Sequence, residues 1–580
     1  MLRFLTVVLA GAGLVGAARA TEFGGMVFGP DATTLGILRS LQGADAVRWI
    51  RGSSPRIAEL GFGRLGDVQH VVPRGSRAGI RLPDDLFEVF DACRTNLPPP
   101  SAAGEAWEVW NEPDFHFVEN SAADMAAVLK AAWWGVKSAR PDATVLMPSL
   151  AFRPARYATE LAHNGLGSWT DGYNLHFYGW AGDYSRVLAH HRLFMEAMDL
   201  RAPVWVTEIG YFQLPASGAA DPEGLARQAA FHERVAVESR MAGVHVHAAF
   251  SLSPFVDSVW DMGLTDPAGR WRPGMSSLVG MARRLQHATP WRHLVHRDTG
   301  ECLGAVLKES PGNDPDGEED DESWWMVLWS PARPREQRFP DAGVGEPWPL
   351  RLPLQLRWQA PGAPVRLGTE GGTSVAAQQL QDLELTPERN LHLRGTGPLP
   401  DVKGCSWMGF PEARRATAPQ LRTAWRRELA TLPPSGRPSP VVIRLLTQGG
   451  ANEAGKPGQR LRVSPRWGGP VTVQLHNFSE SPVAGRWRVS IEPPWRLVRA
   501  DSVSSPDGRA PLEEAVEMAP RSRREWRLML VPPASKAAAV TGDGLGLPWF
   551  GTSRLRAQWI GENARSDVAS LRVAAGAGAG

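Results

Sequence analysis

Three cysteines are spread over 580 residues, Cys93, Cys302 and Cys405, and no Cys-x-x-Cys spacing occurs. That scarcity excludes a disulfide framework and a cysteine-ligated zinc site and leaves one bridge at most. Neither sign of charge is in excess: 63 Lys plus Arg against 61 Asp plus Glu give a formal +2. A binder that neutralises phosphates needs a basic surplus, so nucleic acid is not an expected partner. Long apolar runs are missing beyond the first twenty residues, so the mature chain has no segment that inserts in a membrane. Those twenty, MLRFLTVVLAGAGLVGAARA, combine Arg3, an apolar stretch to about Gly16 and Ala18-Arg19-Ala20 as a cleavage site. They read as a signal peptide over 1–20 and predict a secreted or periplasmic protein. Tyrosine is sparse at 5 residues while tryptophan reaches 24. An indole offers a flat apolar face with a polar edge, a surface on which sugar rings stack, although most of these rings should be core.

The length exceeds what one hydrophobic core usually serves, so several domains are expected. From 21 to 285 short β-branched runs alternate with longer amphipathic ones, the pattern of a parallel α/β domain. WEVWNEP begins the clearest series of strand and helix pairs, and in the helix that follows Ser121 is a candidate N-cap, with Pro141 just past the end. Five such units, with room for three before residue 107, fit a (β/α)8 barrel of roughly 250 residues. EFGGMVFG and GADAVRWIRG read as the first two strands, and the third is placed near DVQHVVP. Beyond 286 the helical period stops. SWWMVLWS, PLRLPLQLRW and NLHLRG read as a β-sandwich over 286–430. A Pro-, Ser- and Gly-containing stretch, 431–460, is a candidate linker. The segment 461–573 alternates like an immunoglobulin-like β-sandwich and should stand as a separate domain, and 574–580 is a tail expected to be disordered.

The motif of interest is Trp107-Glu108-Val109-Trp110-Asn111-Glu112-Pro113. If it is the fourth strand, Glu112 stands at the end where barrel enzymes build their sites. A buried strand gains nothing from a carboxylate, so the position asks for a function or an ion pair. Glu208, in VWVTEIGYF, ends another apolar run three units later. Two strand-end carboxylates at one barrel mouth meet the needs of glycoside hydrolysis, one proton donor and one nucleophile, about 5–5.5 Å apart for retention of configuration.

WNEP followed by VTEIG resembles the clan A glycoside hydrolases, (β/α)8-barrel retaining enzymes, over roughly residues 22–285. The resemblance implies that Glu112 is the general acid/base, Glu208 the nucleophile, and Asn111 a partner of the sugar 2-hydroxyl. NLHFYG resembles the strand-six segment of that clan, which implies supporting roles for His176 and Tyr178. AVRWIRG resembles the segment carrying an Arg beside the nucleophile: Arg48 is the first choice and Arg51 the next. Near the eighth strand the clan's usual Trp is not at the expected position, and Phe250 or Trp260 is read in its place.

Other residues are weighed without the resemblance. Trp110 and Trp180 are candidates for stacking on sugar at the mouth, set against packing in the core or rim. His245 and His247 alternate on one strand face without matching carboxylates and read as structural. The acidic run 313–322 lacks the spacing of an EF-hand loop and reads as a solvated hairpin tip. Glu108, four before Glu112, is read as a structural partner of an Arg. The chemistry calls for no cofactor and no metal, and its partner is a carbohydrate. The expectation is a secreted retaining β-glycosidase of polysaccharides or oligosaccharides, with an inactive carbohydrate-binding or cell-surface protein on a barrel scaffold as the alternative.

Overall fold

Alternation of short apolar runs and amphipathic segments produces eight strands: β1 (Glu22–Met26), β2 (Trp49–Arg51), β3 (Gly63–Asp67), β4 (Glu105–Glu108), β5 (Thr144–Leu146), β6 (Tyr173–Tyr178), β7 (Val204–Gly210) and β8 (Val246–Ala249). The computed structural model describes residues 20–575 apart from 29–30, 45, 53, 73–80, 116, 212–213, 216–220, 258–259, 310–322, 333–350, 369–373, 410–418, 433–436, 448–460, 464–468, 494, 500–510, 532–552 and 562–564. The signal segment (except Ala20), the acidic run 313–322 and residues 576–580 of the tail therefore lie outside the described residues.

The strands are parallel in the order β5-β4-β3-β2-β1-β8-β7-β6. Parallel bridges Leu146–Gly172 and Leu150–Leu175 join the two ends of the sheet, so it is a (β/α)8 barrel. Its lower interior is filled by Trp49, Leu65, Ala106, Leu146, Trp205 and Val246, one side chain from each of six strands. The barrel is a packed core and not a pore. Outside lie α1 (Ala32–Gln42), α2 (Arg56–Glu59), α3 (Leu86–Thr95), α4 (Ala122–Ala139), α5 (Arg156–His163), α6 (Ala181–Ala197), α7 (Pro222–Met241) and α8 (Pro273–Leu285). Ser121 caps α4 as its sequence suggests, its side chain accepting from the Asp124 N–H.

The third strand departs from expectation. It occupies GRLGD at 63–67, while Val68–His70 form a 3-10 turn. Two glycines lower the strand propensity, yet they are needed: a Cβ on Gly63 would lie 2.9 Å from the Trp49 ring, and one on Gly66 would lie 2.3 Å from Trp107. The neighbouring indoles occupy the space that β3 side chains would fill.

After α8 a seven-stranded antiparallel sheet, from Ala288–His296 to Cys405–Met408, faces a three-stranded one. SWWMVLWS is apolar without alternation because its strand is covered on both sides. Trp325 and Val327 pack with α7 and α8 residues such as Ala236, Leu278 and Leu285. Trp324, Met326 and Leu328 face the interior of the sandwich. This sandwich packs against the side of the barrel through α7 and α8.

The expected linker 431–460 contains a strand, Val441–Thr447, whose pairing with Gly469–Asn477 puts it in the second sandwich. Proline and serine around it mask the run VVIRLLT, apolar apart from Arg444 and Thr447. Nor does the last β-domain stand apart from the barrel. Lys130 of α4 pairs with Asp567 at 2.7 Å, and Glu160 of α5 pairs with Arg554 at 3.0 Å and with Arg572, all of them buried. Asn164 exchanges two hydrogen bonds with the Ser570 backbone, at 2.9 and 2.7 Å. Removing one member of a buried charge cluster leaves the others uncompensated, at a cost of about 3–5 kcal/mol. Glu160→Ala should fall toward the lower end of that range, because Glu428 also reaches Arg572 and Arg554. Denaturant unfolding measures it; an unchanged midpoint would show that the charges contribute nothing to docking.

Candidate active site

Inward-facing positions recur every second residue along a strand, and β6 uses three of them for polar groups: Asn174, His176 and Tyr178. On β7, Thr207 and Glu208 are adjacent and would ordinarily face opposite ways. Register shifts between Leu175 and His176 and between Val206 and Ile209 mark a bulge there. Both side chains consequently reach the interior network. β4 ends at Glu108, which points inward, and the chain continues through a sharp loop to Glu112. Trp110 and Glu112 have φ of 78° and 43°, a left-handed backbone that is costly for such side chains. Glu112 is held by its N–H donating to Ser149 Oγ at 3.1 Å.

A carboxylate oxygen of Glu112, a ring nitrogen of His176 and a carboxylate oxygen of Glu208 all lie within 4.8 Å of one another at the C-terminal mouth of the barrel. Arg51 Nη1 and Tyr178 Oη each donate to one oxygen of Glu208. His176 Nδ1 lies 2.7 Å from Glu112 Oε1 and 3.5 Å from Glu208 Oε2, so this one ring stands between the two carboxylates.

Beneath them Glu108 is fully buried. It accepts from Arg51 Nη2 at 2.7 Å, from Asn174 Nδ2 at 2.7 Å and from Thr207 Oγ1, and it lies 3.6 Å from His176 Nε2. Burial alone would lift the Glu108 carboxyl, but Arg51 and His176 hold it well below the usual carboxylate range. Burial likewise opposes a charge on His176; Glu208, with the hydrogen bonds to Glu108 and Glu112, overcomes it and pushes the ring up to about 10. Asp67, 3.8 Å from Arg51, is pushed up to about 7 by burial and by the Glu108 charge. The protons of this mouth are therefore distributed by one connected set of charges.

Glu112, His176 and Glu208 have the spacing of metal ligands. Their donor atoms are already engaged by one another, by Tyr178 and by the Arg51 cation. With a guanidinium cation already against Glu108 and Glu208, the set does not suit a divalent ion.

Of the residues nominated from sequence, the structure gathers Glu112, Glu208, Asn111, His176 and Tyr178 in one place, with Asn111 Oδ1 accepting from Arg51 Nη2 at 2.9 Å. Arg48 is not among them. It precedes β2, lies exposed at the opposite end of the barrel, and pairs with Glu22 at 2.6 Å. Arg51, which ends β2, takes the position beside Glu208. Trp110 is buried in the helix-facing core and presents no open face. Phe250 follows β8 and sets its ring edge-on to Tyr178 at 5.5 Å, so it borders the site. Trp260 is half-buried on a two-residue strand beside the short strand Leu214–Pro215. Trp180 lies under Arg234, 5.6 Å from its guanidinium. His247 is buried against Ser239 Oγ at 2.8 Å, and His245 lies by Trp205 below the barrel. Thr207, Asn174 and Asp67 were not singled out from sequence. The period-2 recurrence of polar residues in an otherwise apolar strand is the signal that would have found Asn174; Thr207 reaches the interior only through the bulge.

No family model matches the chain, and no curated protein does. Among solved structures, a glucosidase from Croceicoccus marinus is 13% identical with a TM-score of 0.40, over 90% of this chain and 97% of that one. A beta-porphyranase of glycoside hydrolase family 86 from Bacteroides plebeius is 10% identical with a TM-score of 0.39, over 96% of each chain. A family 51 alpha-L-arabinofuranosidase from Bifidobacterium longum is 10% identical with a TM-score of 0.37, over 65% of this chain and 97% of that one. At such scores the barrel assignment rests on the strand order alone.

Proposed function

We propose that this protein is a retaining β-glycosidase of the clan A type, acting on a polysaccharide or its oligosaccharides. The observation that carries the proposal is the pair Glu112 and Glu208, with carboxylate oxygens within 4.8 Å at one barrel mouth. That closeness suits double displacement and leaves no room for the water that an inverting pair, about 6.5–9.5 Å apart, must admit. Glu208, its oxygens oriented by Arg51 and Tyr178, attacks the anomeric carbon while Glu112 gives its proton to the departing oxygen. A glycosyl ester on Glu208 results. Glu112, now a carboxylate, takes a proton from water, which attacks the same carbon and frees the sugar with its original configuration. Asn111, held by Arg51, is placed to meet the 2-hydroxyl. His176 carries charge between the two glutamates and loses a partner charge when Glu208 is esterified, so its proton is held less firmly in the intermediate.

Export is part of the proposal and rests on the N-terminal sequence; no described helix is long and apolar enough to cross a membrane. A panel of 4-nitrophenyl β-glycosides, followed by NMR of the first-formed anomer, tests the reading. Turnover of at least one member with the β-anomer appearing first is the expected result. An α-anomer first would mean inversion, and no turnover of any glycoside or polysaccharide would favour the inactive carbohydrate-binding alternative.

A further inference from the structure

The loops after β4 and β5 carry an aromatic cluster that the mechanism does not use. Phe115 meets Phe117 edge-on at 5.3 Å and Phe152 edge-on at 5.4 Å. Phe117 is 40% exposed and Phe152 51% exposed, an unusual state for a large apolar side chain packed with others. The cluster is fastened to the acid/base. Phe115 N–H donates to the Glu112 carbonyl at 3.0 Å, closing a turn. Both oxygens of Asp114 accept from the opposite loop, from Ala151 N–H at 2.9 Å and Phe152 N–H at 3.1 Å. Ser149, three residues before Phe152, accepts from the Glu112 N–H. Two loops from different strands are thus tied to one residue, and the three phenylalanines belong to the loops after β4 and β5, the strands on the Glu112 side of the barrel.

Resting on the glycosidase reading, the side matters. A general acid must touch the oxygen it protonates, so the departing unit extends past Glu112 and away from Glu208. Phenyl rings supply no hydrogen bond, so whatever rests on them is recognised by an apolar face. A pyranose presents such a face through its axial C–H groups. We propose that Phe115, Phe117 and Phe152 form the platform for the departing sugar, the unit that Glu112 protonates. Polar contacts to that sugar are left to other groups, and the platform favours a ring with one unbroken C–H face.

Two substrates of the sugar found by the aryl panel separate the effects: its β-linked disaccharide, which has a departing sugar, and its β-glycosyl fluoride, which has none. In Phe152→Ala and in Phe117→Ala/Phe152→Ala, the ratio of kcat/KM for disaccharide to that for fluoride should fall about 10- to 100-fold, the scale of one or two lost apolar contacts. Phe152→Trp should keep the ratio near that of wild type. Thermal midpoints should stay close to wild type, since the rings are exposed. A ratio within twofold of wild type in the double variant, with both substrates turned over, overturns the platform and leaves the glycosidase reading standing. A wild-type protein that turns over the fluoride and not the disaccharide seats no departing sugar and overturns the platform, whereas one that turns over no member of the aryl panel overturns the glycosidase reading and the platform with it.

Discussion

Turnover by Glu208→Ala should fall by on the order of 10⁴-fold or more, the loss seen when a covalent nucleophile is removed while the rest of a site remains. The cleft keeps Glu112, and the space vacated by the carboxylate borders Arg51 and Tyr178, both of which donated to it. Azide or formate fits that space and charge and should attack the anomeric carbon directly. One displacement in place of two gives a product of inverted configuration. Glu112→Ala should behave differently. Its nucleophile persists, so an activated aryl glycoside, which needs little protonation, still forms the glycosyl ester. Natural substrates should slow by about 10²–10⁴-fold, the range for loss of general acid catalysis. Azide then rescues the second step, with retained configuration. Opposite stereochemistry in the two rescues would assign the roles independently of any resemblance. Wild-type rates in both variants would mean that neither glutamate takes part.

How much of this was legible beforehand follows from where each residue stands. Glu112 and Glu208 stand out because a carboxylate at the end of an apolar run has no structural reason to be there. The arginine was misjudged by three positions because β2 is only three residues long and has an arginine just before it and another at its end. Only Arg51 is at the end that faces the mouth; a stricter use of strand polarity would have preferred it. The third strand was hidden by glycines whose reason, the indoles of Trp49 and Trp107, lies on neighbouring strands. Trp110 looked available for stacking because it adjoins Asn111, yet the turn at its left-handed backbone sends the ring into the helix layer. The strand at 441–447 was lost to averaging over proline and serine around it. Phe115 and Phe152 are 37 positions apart and phenylalanine reads as core in any window; only the bonds from Asp114 put them on one surface.

Glu108 was read as a structural partner of an arginine, and its geometry gives that role consequences for catalysis. It touches no reacting atom in the proposed reaction, yet it holds Arg51, which holds Glu208, and it lies beside His176, which contacts Glu112. Glu108→Gln preserves volume and removes the charge. Arg51 then has only Glu208 and Asp67 as partner charges, beside its hydrogen bond to Asn111, and one donor of the new amide faces donors of Asn174 and Thr207. Small misplacement of a reacting group costs about 10²-fold, so kcat should fall by about that factor with KM changed far less. A purely structural defect would lower the amount of folded protein without moving a titration, so the protons decide between the two. Glu108 is one of the carboxylates that raise His176 to about 10, and its charge is one cause of Asp67 reaching about 7. Without that charge both should move down. For His176, whose folded value lies above its unfolded one, the associated stability is complete below about pH 6.5 and is lost as the pH rises through the folded value. In Glu108→Gln that loss should be smaller and be complete at lower pH than in wild type. Nitrogen-15 NMR of the His176 ring follows the titration directly. A folded Glu108→Gln protein with wild-type kcat and an unmoved His176 would show that this carboxylate only fills the barrel.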